Sequence, residues 1–109
     1  MKVAVVGSRN IVVENIQQFL PENVSEIISG GAKGVDTCAE EYAKNNGIKM
    51  TVIKPDYKKY GKPAPLVRNK EIVKNADFVV LVWDGKSRGT KLVLEYCEKI
   101  NREHKVYII

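Results

Sequence analysis

The sequence predicts an α/β fold: a three-layer sandwich in which a five-stranded parallel sheet lies between helices. Three observations lead there. Short β-branched apolar runs recur five times along the chain, bounded by turn residues. They alternate with four segments of helical spacing, and strict strand-helix alternation requires right-handed crossovers and parallel strands. The runs are apolar nearly throughout rather than at every second residue, as strands covered on both faces are. With 109 residues, the chain has room for one such domain and no second.

The elements follow in order. "KVAVV" at 2–6 is the first strand, and a less regular helical segment spans about 13–20. "EIIS" at 26–29 is the second strand. After it, Val35, Cys38, Ala39, Tyr42 and Ala43 fall at i, i+3, i+4, i+7 and i+8, one face of a helix that "NNG" at 45–47 ends. "KMTVI" at 49–53 is the third strand. Residues 54–64, with two prolines and a glycine, read as one long functional loop. A third helical segment covers about 65–75, and "DFVVLVW" at 77–83 is the fourth strand. In the last helix Leu92, Val93, Tyr96, Cys97 and Ile100 share one side, with Lys91, Glu95, Glu98 and Lys99 on the other; "KVYII" at 105–109 is the fifth strand.

Composition narrows the function classes. Hydrophobic residues at 44% and charged residues at 28% suit an ordinary globular domain. Eighteen Lys and Arg against thirteen Asp and Glu give a net charge of +5, a weak field favouring anionic small molecules or polyanions. The lysines are scattered; only "KPDYKKYGK" at 54–62 interleaves them with aromatics as a single-strand binding surface would, and a solvated loop explains that stretch as well. Neither a signal-peptide core nor an apolar run of bilayer length is present, so the expected compartment is the cytoplasm, without membrane contact. Cys38 and Cys97 sit on apolar helix faces without metal-ligand spacing and read as core; His104 reads as an exposed polar residue, and no metal is expected.

Ligands of open parallel sheets bind beyond the carboxyl ends of the strands. The loops at that edge are "GSRN" at 7–10, "SGGAKG" at 29–34 and "DGKSRGT" at 84–90, each with glycine, a small hydroxyl residue and a cation. Glycine admits close backbone approach, and a helix start offers unpaired amides and partial positive charge, which suits phosphate. Any one loop alone reads more readily as a tight turn; three converging on one edge favour a site. Arg9 and Arg88 suit bidentate phosphate contact. Asp36, in a first helical turn, is either a cap or a partner for a ribose hydroxyl, because it would repel phosphate placed beside it. Two familiar motifs fail: Ser29 stands where G-x-G-x-x-G needs glycine, and a P-loop ending at "DGKS" would put its first glycine at Val80, inside a strand.

Taken in order, "VVGSR", "SGGAKGVD", "DYKKYGKPAPLVRN" and "ADFVVLVWDGKSRGT" resemble the SLOG superfamily, which includes DprA/Smf DNA-processing proteins and LOG phosphoribohydrolases. The similarity spans nearly the whole chain and is nearest to the small single-domain YspA/YpsA-related branch. It implies a Rossmann-like fold with strand order 3-2-1-4-5 and a pocket for a nucleotide or nucleotide-derived ligand that such proteins sense or process. The "SGGAKGVD" stretch is similar to one that DprA-like proteins use near bound single-stranded DNA, which assigns Ser29, Gly30, Gly31, Lys33 and Gly34 to phosphate contact. Arg68, nine residues before Asp77, matches the arginine that assists N-glycosidic cleavage in LOG enzymes. The glutamate working with that arginine has no match here: Leu92 and Val93 occupy the spots after Thr90, and Glu95 is displaced around the helix by more than half a turn.

The combined expectation is a phosphate ligand between the loops that carry Gly7, Ser8 and Arg9 and those that carry Gly85, Lys86, Ser87, Arg88, Gly89 and Thr90, approached by Arg68 and Asn69. Tyr57 or Tyr60 would stack on a base. Alternatives are an N-glycosidase using Arg68 with Asp84, Asp36 or Glu95, and a binder of single-stranded nucleic acid. The ligand's identity, any cofactor, and pairing into a homodimer stay open.

Overall fold

The computed structural model describes all residues, 1–109. Five parallel strands form one sheet: β1 (Lys2–Gly7), β2 (Glu26–Ser29), β3 (Lys49–Val52), β4 (Phe78–Trp83) and β5 (His104–Ile108), in the order β3-β2-β1-β4-β5. Helices α1 (Val35–Asn45), α2 (Tyr57–Tyr60), α3 (Ala64–Asn75) and α4 (Arg88–Lys99) complete the expected sandwich.

Alternate residues of a strand point to opposite faces, and the buried core divides accordingly. Val3, Val5, Ile27, Val80 and Val82 pack with Val35, Ala39 and Ala43 of α1. Ala4, Ile28, Val79 and Leu81 pack on the other face with Ile72 and Val73 of α3 and Val93 and Cys97 of α4. Each fully buried aliphatic side chain contributes about 1.5–3 kcal/mol relative to exposure, so both faces must stay covered. Burial also pushes the Cys97 thiol up to about 11, in keeping with a core residue rather than a nucleophile.

Connections from β1 through β3 run over the α1 face, and those from β3 through β5 over the α3 and α4 face. The order therefore reverses between β1 and β4, whose register pairs Val5 with Val80 and Gly7 with Val82. At such a switch point neighbouring loops splay apart and leave a crevice.

Two segments differ from their sequence expectation. The helix expected at 13–20 is a single 3-10 turn, Ile16–Phe19, with Ile16 buried. Ile11, Val12 and Val13 are β-branched, Pro21 follows closely, and Asn15 makes no capping bond, so a helical nucleus there lacks support. Conversely, the loop expected at 54–64 contains α2: the Asp56 carboxylate accepts from the Lys59 amide at 3.1 Å, and Gly61 ends the turn at φ 66°. Strand ends shift by one residue. Asp77 lies outside β4 because it closes the sheet end, donating to the Lys2 carbonyl and accepting from the Lys2 amide through Oδ2, both at 2.8 Å.

Candidate ligand site at the sheet edge

A cavity of about 290 Å³ opens at the switch point. The loop after β1 contributes Gly7, Ser8 and Arg9, the loop after β2 contributes Gly30 and Ala32, and the first turn of α1 contributes Asp36. Ser87, Gly89 and Thr90 come from the start of α4, and Pro65, Arg68, Asn69 and Ile72 close the wall from α3. The three glycine loops thus meet at one rim.

Ser8 ties them together. It is only 1% exposed; its amide donates to the Val82 carbonyl at 3.1 Å, and its carbonyl accepts from Ile11 at 3.3 Å and Val35 at 3.5 Å. Its Oγ accepts from the Asp84 amide at 3.1 Å and lies 3.0 Å from Ser87 Oγ. Asp84 then shapes the turn into α4: Oδ1 accepts from the Ser87 amide at 2.7 Å and the Lys86 amide at 2.8 Å. These amides hold its carboxyl well below the usual carboxylate range. Trp83 Nε1 donates to the Ser87 carbonyl at 2.9 Å, fixing the other side of that turn.

At the opposite wall Arg68 reaches across from α3. Its Nη1 donates to the Gly30 carbonyl at 2.8 Å and its Nε to Asn69 Oδ1 at 2.8 Å. Asp36 lies beside it, 6% exposed, with Oδ2 accepting from the Ala32 amide at 3.2 Å. Gly30 makes the arrangement possible, because a Cβ there would come within 2.7 Å of Arg68 Nη1 and 3.2 Å of Asp36 Oδ2. Burial lowers the Arg68 pKa while Asp36 raises it. Desolvation is the largest influence on Asp36 and raises its pKa, outweighing the Ala32 and Gly30 amides and Arg68; Glu40 adds to the rise.

That balance sets a pH dependence. Folded Asp36 holds its proton more tightly than unfolded Asp36, so its contribution to stability is present below the ordinary carboxylate range and is lost as pH rises through the raised value. An Asp36→Asn protein should therefore melt at or above the wild-type temperature at neutral pH, with the difference shrinking as pH falls from the raised value and vanishing below about 4. Thermal melts at a series of pH values check this. A variant destabilised at neutral pH would show that the Arg68 attraction outweighs burial.

Gly89 is the second informative position. It occupies the first turn of α4, and a Cβ built on it meets nothing within 4 Å. Glycine in a helix costs roughly 0.5–1 kcal/mol relative to alanine, and no protein neighbour here requires it. Gly89→Ala should accordingly raise the melting temperature, by an amount up to that full increment. Gly89 also lines the cavity.

Other residues expected at the site lie elsewhere. Ser29 is fully buried, its Oγ accepting from the Gly31 amide at 3.1 Å. Gly31 turns at φ 73° with its Cβ position 2.9 Å from Val52 Cγ1, and Gly34 at φ 76° abuts the Ser8 and Arg9 carbonyls. Gly85 turns at φ 79°. Lys33, Lys86 and Arg88 are exposed, Tyr57 is 60% exposed, and none of them lines the cavity. Among the acidic candidates, Asp36 alone lines it; Glu95 borders a shallow groove between α3 and α4. Pro65 and Ile72 escaped the sequence reading, although with Arg68 and Asn69 they follow i, i+3, i+4, i+7 spacing, which marks one helix face.

A family model described as the YspA, cpYpsA-related SLOG family matches residues 1–60, which carry the first two glycine loops and Asp36. Neither a curated protein nor a solved structure shows significant similarity to the chain.

Proposed function

Because the chain belongs to the YspA, cpYpsA-related SLOG family, we propose that it binds a nucleotide-derived phosphate ligand in the switch-point cavity and acts as a sensor or processing domain. The observation carrying this reading is the unfilled first turn of α4 at Gly89, which faces a cavity otherwise lined by Ser8, Arg9, Ser87 and Thr90. The phosphate sits against the α4 start, where backbone amides and the helix dipole favour an anion and Arg9 adds charge. Asp36 lines the same cavity from the first turn of α1. Calorimetric titration with the common nucleoside monophosphates tests the reading: at least one should bind, and Gly89→Asp, which adds a carboxylate to the cradle, should abolish that binding. Absence of binding across the panel, or binding indifferent to Gly89→Asp, contradicts it.

A second reading, hydrolysis of the N-glycosidic bond, is favoured by one observation: the buried Asp36 carboxyl, with its raised pKa, adjoins Arg68 on the cavity. A group so tuned can exchange a proton with a reacting ligand. Release of free base from a monophosphate, lost in Asp36→Asn, is the expected result under that reading.

A further inference from the structure

Resting on the proposed phosphate site, we infer that Asp36 and Arg68 read the hydroxyls of a ribose, so that the ligand is a ribosyl phosphate in which the 2′-hydroxyl is a determinant of affinity. Asp36 is 6% exposed, yet it lines the cavity, and its Oδ2 accepts from the Ala32 amide. A carboxylate has about four acceptor sites, so the Ala32 and Gly30 amides leave it capacity to accept from a ligand. Arg68 spends Nε on Asn69 and one Nη1 proton on the Gly30 carbonyl, which fixes the guanidinium plane and leaves its remaining protons as donors. A carboxylate beside a guanidinium offers an acceptor next to a donor. Hydroxyls, which both donate and accept, satisfy the two together; a phosphate would satisfy Arg68 and be repelled by Asp36.

The position fits as well. β2 and β4 flank β1, so Ala32 and Asp36 line the cavity from the β2–α1 connection and Ser87, Gly89 and Thr90 from the α4 start, with Ser8 bonded to both sides. The cavity of about 290 Å³ is at the small end of ligand pockets, and no aromatic ring lines it. A sugar phosphate fills such a polar space; a base belongs at the mouth.

Ribose 5-phosphate and 2-deoxyribose 5-phosphate, which carry no base, test the inference by calorimetry. The wild-type protein should bind the ribose compound at least about 10-fold more tightly, the share of a hydrogen bond to a charged group. Asp36→Asn, which can keep the Ala32 bond through its amide oxygen, should reduce the preference to within about threefold, chiefly by weakening the ribose compound. Equal wild-type binding of the two sugars overturns the inference and leaves the phosphate site standing. A preference that survives Asp36→Asn, or a variant effect on guanine against adenine nucleotides alone, overturns it too. Failure of both sugar phosphates and of all nucleoside monophosphates to bind removes the phosphate site itself.

Discussion

Gly34→Ala is expected to lower stability by roughly 3 kcal/mol or more, with two independent causes. The residue stands before α1 at φ 76° and ψ −123°, a conformation that a side chain makes strained. A Cβ there would also come within 2.5 Å of the Arg9 carbonyl oxygen and 2.6 Å of that of Ser8. Both contacts are backbone, so neither can move aside without shifting the loop that Ser8 holds against β4. A small domain has only about 5–15 kcal/mol of stability in total, so the melting temperature should fall by more than about 10 °C. Gly47→Ala supplies the comparison: φ there is 64° but a Cβ meets nothing within 4 Å, which leaves only the conformational part, about 1 kcal/mol. Equal losses in the two variants would show that the close approach of the first two glycine loops contributes nothing.

Arg68→Ala should weaken a bound nucleoside monophosphate by roughly 10- to 100-fold, the range of one charge-assisted hydrogen bond. The side chain orders the wall through the Gly30 carbonyl and Asn69, both at 2.8 Å, and its loss leaves Asp36 without its nearest cation. Lysine should not restore affinity, because a single ammonium cannot reproduce the planar fork that spans the Gly30 carbonyl, Asn69 and a ligand. Gly30→Ala should imitate the loss with Arg68 intact, since its Cβ would displace Nη1 from 2.7 Å. Calorimetry gives the affinity and a thermal melt establishes folding. Unchanged affinity in Arg68→Ala would exclude the α3 wall from the site.

The contrast between Gly34 and Gly89 also explains what the sequence could and could not disclose. Five parallel strands were legible, because β-branched runs and helical spacing report directly on burial and their alternation demands parallel crossovers; the strand order came from the family resemblance. Glycine is ambiguous in a different way: its letter is the same whether the backbone needs positive φ, a neighbour needs the space, or a ligand does. Gly31 and Gly34 answer to the first two needs, and Gly89 to neither. Ser29 and Asp84 likewise had the right composition for a site, and their hydrogen bonds to Gly31, Lys86 and Ser87 show what they hold together. Asp36 could be placed in the first helical turn from its spacing, but its burial beside Arg68 depends on α3 crossing to the far face of the sheet. The 3-10 turn at Ile16–Phe19 was misread as a longer helix because apolar spacing carries no record of nucleation cost.

The central claim is that a phosphate ligand binds where the loops after β1, β2 and β4 converge. Backbone amide chemical shifts followed while adenosine 5′-monophosphate is titrated into the labelled protein test it most directly. The account predicts that the largest changes fall on Arg9, Gly30, Ser87, Gly89 and Thr90, with β5 and the outer face of α1 unmoved. Changes concentrated on α2 and Lys54, or on the groove between α3 and α4, would contradict it.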